Sequence, residues 1–200
     1  MVLVGRKAPD FNCGAVLSTG EIINNFNLHK TIKKKIGLLF FYPLDFTFVC
    51  PSELIALHHR IPQFKQRNVE VIAMSIDSLY VHNAWRNTPV QLGGIGKVDF
   101  TLATDLDHKV CQAYGVEHPE LGIALRATFI IDKDLTVRHQ SVNDLPLGRN
   151  LDECIRLIDA LQHHEQHGEV CPAGWNKGNK AMVATTEGVA DYLANNSKDL

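Results

Sequence analysis

The chain contains no apolar run near the roughly 20 residues that a membrane-spanning helix requires, and its N-terminus lacks the apolar core of a secretory signal. The expectation is a protein that stays in the cytosol. Cys-x-x-Cys is absent as well. The five cysteines, Cys13, Cys50, Cys111, Cys154 and Cys171, are too few and too widely spaced for the disulfide framework of a secreted domain. In a reducing compartment a cysteine serves either as a chemical thiol or as a small buried hydrophobe. The formal net charge is only −2, and no basic stripe is interleaved with aromatics, which excludes an electrostatic footprint for nucleic acid. Internal repeats and low-complexity segments are missing too. Gly93-Gly94-Ile95-Gly96 is a glycine-rich run, but it lacks the strand–turn–helix context of a phosphate loop. No metal, flavin or nucleotide site is visible.

What is present is enough apolar material for one core: 200 residues at 45% hydrophobic content are most simply a single domain. Apolar runs of strand length fall at 37–42, 69–76, 99–103 and 127–131, with a hairpin partner at 135–141. Lys33-Lys34-Lys35 reads as a solvated loop entering the first of these. Helical spacing appears at 51–66, 79–87, 107–113 and most clearly 151–165, where Leu151, Cys154, Ile155, Leu157, Ile158 and Leu161 recur every three or four residues. Strands alternating with helices, followed by a hairpin and a helix, argue for an α/β layered sheet, and the pattern alone leaves a doubly wound sheet open. After Gly168 the composition changes to Cys, Pro, Gly and Trp, then a short polar helix near 186–195, which reads as an arm.

The segment from Tyr42 to Glu53, Tyr-Pro-Leu-Asp-Phe-Thr-Phe-Val-Cys-Pro-Ser-Glu, ends a strand and begins a helix with a cysteine at the junction. Free N–H groups and the positive end of the helix dipole stabilise an anion there, so the expectation for Cys50 is an acidified, nucleophilic thiol. Pro51 suits a first helical turn.

Pro43, Thr47 and Cys50 fit the pattern Pro-x-x-x-Thr-x-x-Cys, and the chain on these residues resembles the typical two-cysteine peroxiredoxins. Ala8-Pro9-Asp10-Phe11, Ser75-Ile76-Asp77-Ser78 with His82 and Trp85, Arg126 to Asp132, Val142 to Pro146, and Glu169 to Trp175 match in the same order along the chain. The resemblance implies a thioredoxin-like fold with the peroxiredoxin N-terminal extension, a peroxidase domain over 1–165 and a C-terminal arm over 166–200. It implies reduction of hydrogen peroxide and organic hydroperoxides, with Cys50 attacking the peroxide and becoming a sulfenic acid. Thr47 would donate to the thiolate or bridge to a peroxide oxygen, and Pro43 would shield the pocket. Arg126 would stand beside the sulfur, with Glu53 orienting Arg126 or Arg149. Cys171 would resolve the sulfenic acid on a neighbouring subunit of an antiparallel homodimer, with thioredoxin or a flavin-linked reductase restoring the thiols. Five dimers would form a decamer, to which Phe46, Phe48, Asp77, Ser78 and Trp85 would contribute, with core packing an equal reading for the aromatics.

Cys13, Cys111 and Cys154 read as structural. His163, His167 and Cys171 follow one another at intervals of four, a metal-like spacing, but Gly168 ends the helix and ligands are too few, so the expectation is a solvated histidine-rich helix end. Two departures stand out. Ser52 replaces the family's usual threonine, and Leu193 follows Tyr192 where peroxiredoxins sensitive to overoxidation carry phenylalanine. With the Gly93–Gly96 insertion retained, the expectation is intermediate sensitivity. A thiol–disulfide oxidoreductase would need the missing Cys-x-x-Cys, and a ring-forming chaperone holdase is the reading from a different class.

Overall fold

The computed structural model describes residues 1–199 and divides into two compact units, Met1–Leu151 and Asp152–Leu200. The division falls beside the start of the last long helix, so most of that helix goes with the C-terminal segment that includes the 166–200 arm.

The first unit is built on one seven-stranded sheet. Its strands are β1 (Asn12–Val16), β2 (Ile22–Asn27), β3 (Ile36–Phe41), β4 (Val69–Ser75), β5 (Thr101–Thr104), β6 (Arg126–Ile131) and β7 (Val137–Asn143), in spatial order β2-β1-β5-β4-β3-β6-β7. Helices α1 (Leu28–Thr31), α2 (Cys50–Gln66), α3 (Leu79–Asn87) and α4 (Lys109–Tyr114) connect them. β3 lies parallel to β4 and antiparallel to β6. All six of its residues are buried, which is why its sequence is a continuous apolar run and not an alternating one. Leu39 and Phe41 share one face with Phe129, where the Phe41, Tyr114 and Phe129 rings meet at centroid distances of 4.9 to 5.8 Å. Phe40 points to the opposite face, which leads to the site.

The β1–β2 hairpin and α1 lie outside the elements read from periodicity. Ile-Ile-Asn-Asn-Phe-Asn of β2 is an edge strand without clean alternation, and its turn depends on Gly20 at φ +91°. α3 is capped by Ser78, whose hydroxyl accepts from Val81 N–H. The Gly93–Gly96 run closes its other end: the Gly94 backbone presses so closely on the Thr88 carbonyl that a Cβ there would stand 1.9 Å from the oxygen. The second unit comprises the body of α5 (Leu151–His167), an irregular segment joined by a Val170–Met182 bridge, and α6 (Thr186–Asn196). Among the described residues no helix is long and apolar enough to cross a membrane.

Candidate active site

α2 begins at Cys50, with Pro51 in its first turn, and Val49 at the N-cap offers no side-chain hydrogen bond. Cys50 is thus the first residue of a 17-residue helix, at the positive end of its dipole. Cys50 is fully buried. Its polar partner is Arg126, the first residue of β6, whose Nη1 donates to Sγ at 3.3 Å and to Glu53 Oε2 at 2.9 Å. Arg126 is fixed in turn by a 2.6 Å bond from Nε to the Leu145 carbonyl.

Glu53, one helical turn beyond Cys50, takes both arginines. Arg149 donates to it through Nε at 2.8 Å, Nη2 at 2.9 Å and its backbone N–H at 2.9 Å. Arg149 Nη1 reaches the Ala127 carbonyl and Thr128 Oγ1, and its guanidinium lies 3.3 Å over the Phe40 ring. The expectation that Glu53 orients one arginine or the other is thus refined to both. Burial pushes the Glu53 carboxyl up, but hydrogen bonds and charge from Arg149, with the charge of Arg126, outweigh it and hold the group below its usual range. Two buried guanidiniums meet on one carboxylate, and Arg126 turns one N–H of its shared Nη1 to Cys50.

Pro43 is buried two residues past β3. Thr47 is half-buried, and its hydroxyl donates to the Leu44 carbonyl at 2.8 Å, so its proton is spent within the loop and not on the sulfur. The sequence reading assigned no role to the network that holds this loop. Tyr42 Oη donates to Asp45 Oδ1 at 2.7 Å, His82 Nδ1 lies 2.8 Å from Asp45 Oδ2, and His82 Nε2 donates to the Ala103 carbonyl at 3.2 Å. With Nε2 committed to a carbonyl, one proton is shared between Asp45 and His82. Burial moves the Asp45 carboxyl up against the opposing pull of His82. Asp77 Oδ2 accepts from Asp45 N–H and from Ser75 Oγ, tying the loop to the end of β4. A usable signal was present, because His82 lies on the buried face of α3 with Trp85 and Arg86 at three- and four-residue spacing. Trp85 is fully buried against Tyr42 and donates to the Gly93 carbonyl, which makes it a core residue; Phe48 is 95% exposed.

Cys171 lies in the second unit. It is half-buried, with Sγ directed at the Ala160 carbonyl at 3.6 Å. Burial pushes its thiol up, Arg156 pulls it down and Glu169 adds to the rise. Cys111 and Cys154 are buried and Cys13 partly so; burial lifts the Cys13 thiol to about 12 and Cys111 higher still. At the histidine-rich helix end His164 and His167 are exposed, as expected, while His163 is half-buried and engaged: its Nε2 lies 2.8 Å from Glu169 Oε2 and its ring 5.0 Å from that of Trp175.

Residues 4–140 match the model of the AhpC/TSA family. The chain belongs to this family. Residues 160–195 match the C-terminal domain of 1-Cys peroxiredoxin. Alkyl hydroperoxide reductase C of Buchnera aphidicola is 53% identical over 99% of this chain and the whole of that protein. The protein of the same name in Helicobacter pylori is 53% identical over 98% of each chain. The reduced 2-Cys peroxiredoxin of Plasmodium vivax superimposes with a TM-score of 0.93 at 46% identity, covering 97% of this chain and all of that one. The thioredoxin-like peroxiredoxin fold inferred from the motifs is therefore the fold of this chain. Within this peroxiredoxin, Cys50, Glu53, Arg126 and Arg149 converge on one site, Pro43 and Thr47 lie in the loop leading to it, and Cys171 belongs to the separate C-terminal unit.

Proposed function

We propose that the chain is a thiol peroxidase that reduces hydrogen peroxide and organic hydroperoxides. The observation that carries this reading is the 3.3 Å bond from Arg126 to Cys50 inside a buried cluster of two arginines on one glutamate. The Cys50 sulfur attacks the terminal peroxide oxygen and the O–O bond breaks. Sulfur is oxidised to the sulfenic acid, and the departing oxygen takes a proton and leaves as water or an alcohol. Arg126 stabilises the charge that passes from sulfur to the departing oxygen. Thr47 Oγ1, its own proton held by Leu44, is free to accept from the peroxide O–H. Pro43 closes the buried end of the loop.

Cys171 of a partner subunit then attacks the Cys50 sulfur, forming a disulfide and releasing water. Because Cys50 is fully buried, no second sulfur comes within the roughly 2.05 Å of a disulfide until the start of α2 opens. Thioredoxin or a flavin-linked reductase supplies the two electrons that restore the thiols. The names of the relatives, alkyl hydroperoxide reductase C and 2-Cys peroxiredoxin, support the peroxidase reading; we place it in a cytosolic homodimer, with exposed Phe48 available to a decamer of five dimers.

Non-reducing electrophoresis after stoichiometric peroxide tests this with wild type, Cys50→Ser and Cys171→Ser. A disulfide-linked dimer is expected in wild type alone. A dimer persisting in Cys171→Ser assigns resolution to another cysteine, and no dimer in wild type removes the two-cysteine mechanism.

A further inference from the structure

The end of α5 grips the segment carrying Cys171 through side chains that the peroxide chemistry does not use. Glu169, two residues before Cys171, is held twice. His163 Nε2 meets its carboxylate at 2.8 Å, and His164 Nδ1 meets its carbonyl oxygen at 2.8 Å. Both oxygens only accept, so His163 carries its hydrogen on Nε2 and His164 on Nδ1. The His163 ring also packs on Trp175 at 5.0 Å and on His167 at 4.5 Å, so one side chain clasps the segment on both sides of Cys171. Arg156, paired with Glu153, donates to the Trp175 carbonyl at 2.8 Å. Gly168, at φ +70°, makes the turn from the helix into this segment and is the natural hinge.

Cys171 directs its sulfur at the carbonyl of Ala160 on the same helix. To present that sulfur to another chain the segment must lift away from α5, and the bonds to Glu169 hold it there. We propose that His163 and His164, acting through Glu169, are positioning residues that set how fast Cys171 is released. They thereby set how oxidised Cys50 divides between two fates. This rests on the peroxidase reading above. In one fate the Cys171 thiol attacks the sulfenic sulfur, the S–S bond forms, the S–O bond breaks and water leaves. In the other a second hydroperoxide transfers an oxygen to the sulfenic acid, giving the sulfinic acid and an alcohol or water. Segment release limits the first route and peroxide concentration drives the second, so a firmer grip favours the sulfinic acid.

The test is rapid mixing of the full-length protein with hydrogen peroxide, followed by acid quench and intact mass. It resolves peroxide consumption by Cys50, disulfide formation and the sulfinic fraction separately. His163→Phe keeps a ring against Trp175 and loses the bond to Glu169. Disulfide formation is expected to accelerate about five- to tenfold, the worth of one net side-chain hydrogen bond, with the sulfinic fraction at fixed peroxide falling in step and the first step unchanged. His163→Gln, which restores an N–H donor, is expected to return to within about twofold of wild type. Glu169→Gln weakens the same bond without touching the packing and is expected to accelerate release about two- to threefold, which keeps the test open should His163→Phe fold poorly. An unchanged disulfide step in His163→Phe and Glu169→Gln overturns the proposal, as does a His163→Gln protein as fast as His163→Phe. Failure of wild type itself to consume peroxide or form the disulfide removes the peroxidase reading, and the wild-type trace alone distinguishes that failure from this one.

Discussion

The surroundings of Cys50 and Cys171 differ in nearly every physical respect. Cys50 opens a 17-residue helix, is sealed from solvent and faces a guanidinium fixed by a carboxylate and by the Leu145 carbonyl. Cys171 sits on irregular chain, half-buried, facing a carbonyl, with its thiol raised by burial. One thiol has been given a fixed charge environment built on a helix and a strand, and the other a seat held by a few separable bonds. Fixed dipoles aimed at a reacting atom need no reorganisation when charge moves, which suits a first step at Cys50. A sulfur that must travel to another chain gains nothing from rigidity and needs only to be kept in place until released.

The sharpest way to break that comparison is to remove one arginine beside each cysteine. Arg126→Met is expected to lower the second-order rate constant for peroxide about 10²- to 10³-fold, the usual loss of a buried donor to a charged transition state. Arg156→Met, which removes the donor to the Trp175 carbonyl and the positive neighbour of Cys171, is expected to leave that rate constant within about twofold, since surface pairs contribute little. Stopped-flow measurement of both variants decides it; equal losses would mean the two environments are not functionally distinct.

Next in size is the stability of the first site itself. Glu53→Gln leaves Arg126 and Arg149 buried without their carboxylate and is expected to cost about 3 kcal/mol in urea unfolding at pH 7. The sign with pH follows from the lowered Glu53 carboxyl. Its contribution is complete above the ordinary value of 4.5 and is lost as pH falls through the folded value below that. The gap between wild type and Glu53→Gln should therefore close as pH is taken from 5 toward 3 in the same titration. A gap independent of pH would mean that the ionised carboxylate is not what the site depends on.

Much of the first environment was legible in the sequence, and the reason is local. A strand–helix junction and a proline after the cysteine are short-range features that mark Cys50, whereas Arg126, 76 residues away, was placed beside it by the family resemblance alone. The double use of Glu53 was only half legible, because Arg149 joins from 96 residues away and periodicity carries no information about such a partner. The Tyr42–Asp45–His82 network escaped for the same reason: its histidine is 37 residues from its aspartate, and only burial on α3 hinted that it needed one. β2 escaped because it is an edge strand, which need not alternate. Around Cys171 the motif located the sulfur, while the grip of His163 on Glu169 required the fold at a helix end that composition alone marks as solvent-facing.

The smallest expected effect tests how the tail beyond Cys171 is retained. Tyr192 and Leu193 are adjacent on α6, yet Tyr192 is 8% exposed and Leu193 42%. Tyr192 therefore carries most of the retention, and Leu193→Phe adds apolar surface at a position that stays partly in water. At about 25 cal/mol per Å², a further 20 to 30 Å² covered by the ring is worth roughly 0.5 to 0.8 kcal/mol, or about a two- to fourfold slower release. The peroxide concentration that half-inactivates the enzyme during turnover should fall by about the same factor, opposite in direction to the His163→Phe change and smaller than it. Equal inactivation of wild type and Leu193→Phe would leave the hold on Cys171 to α5 and its bonds to Glu169, with α6 contributing through Tyr192 alone.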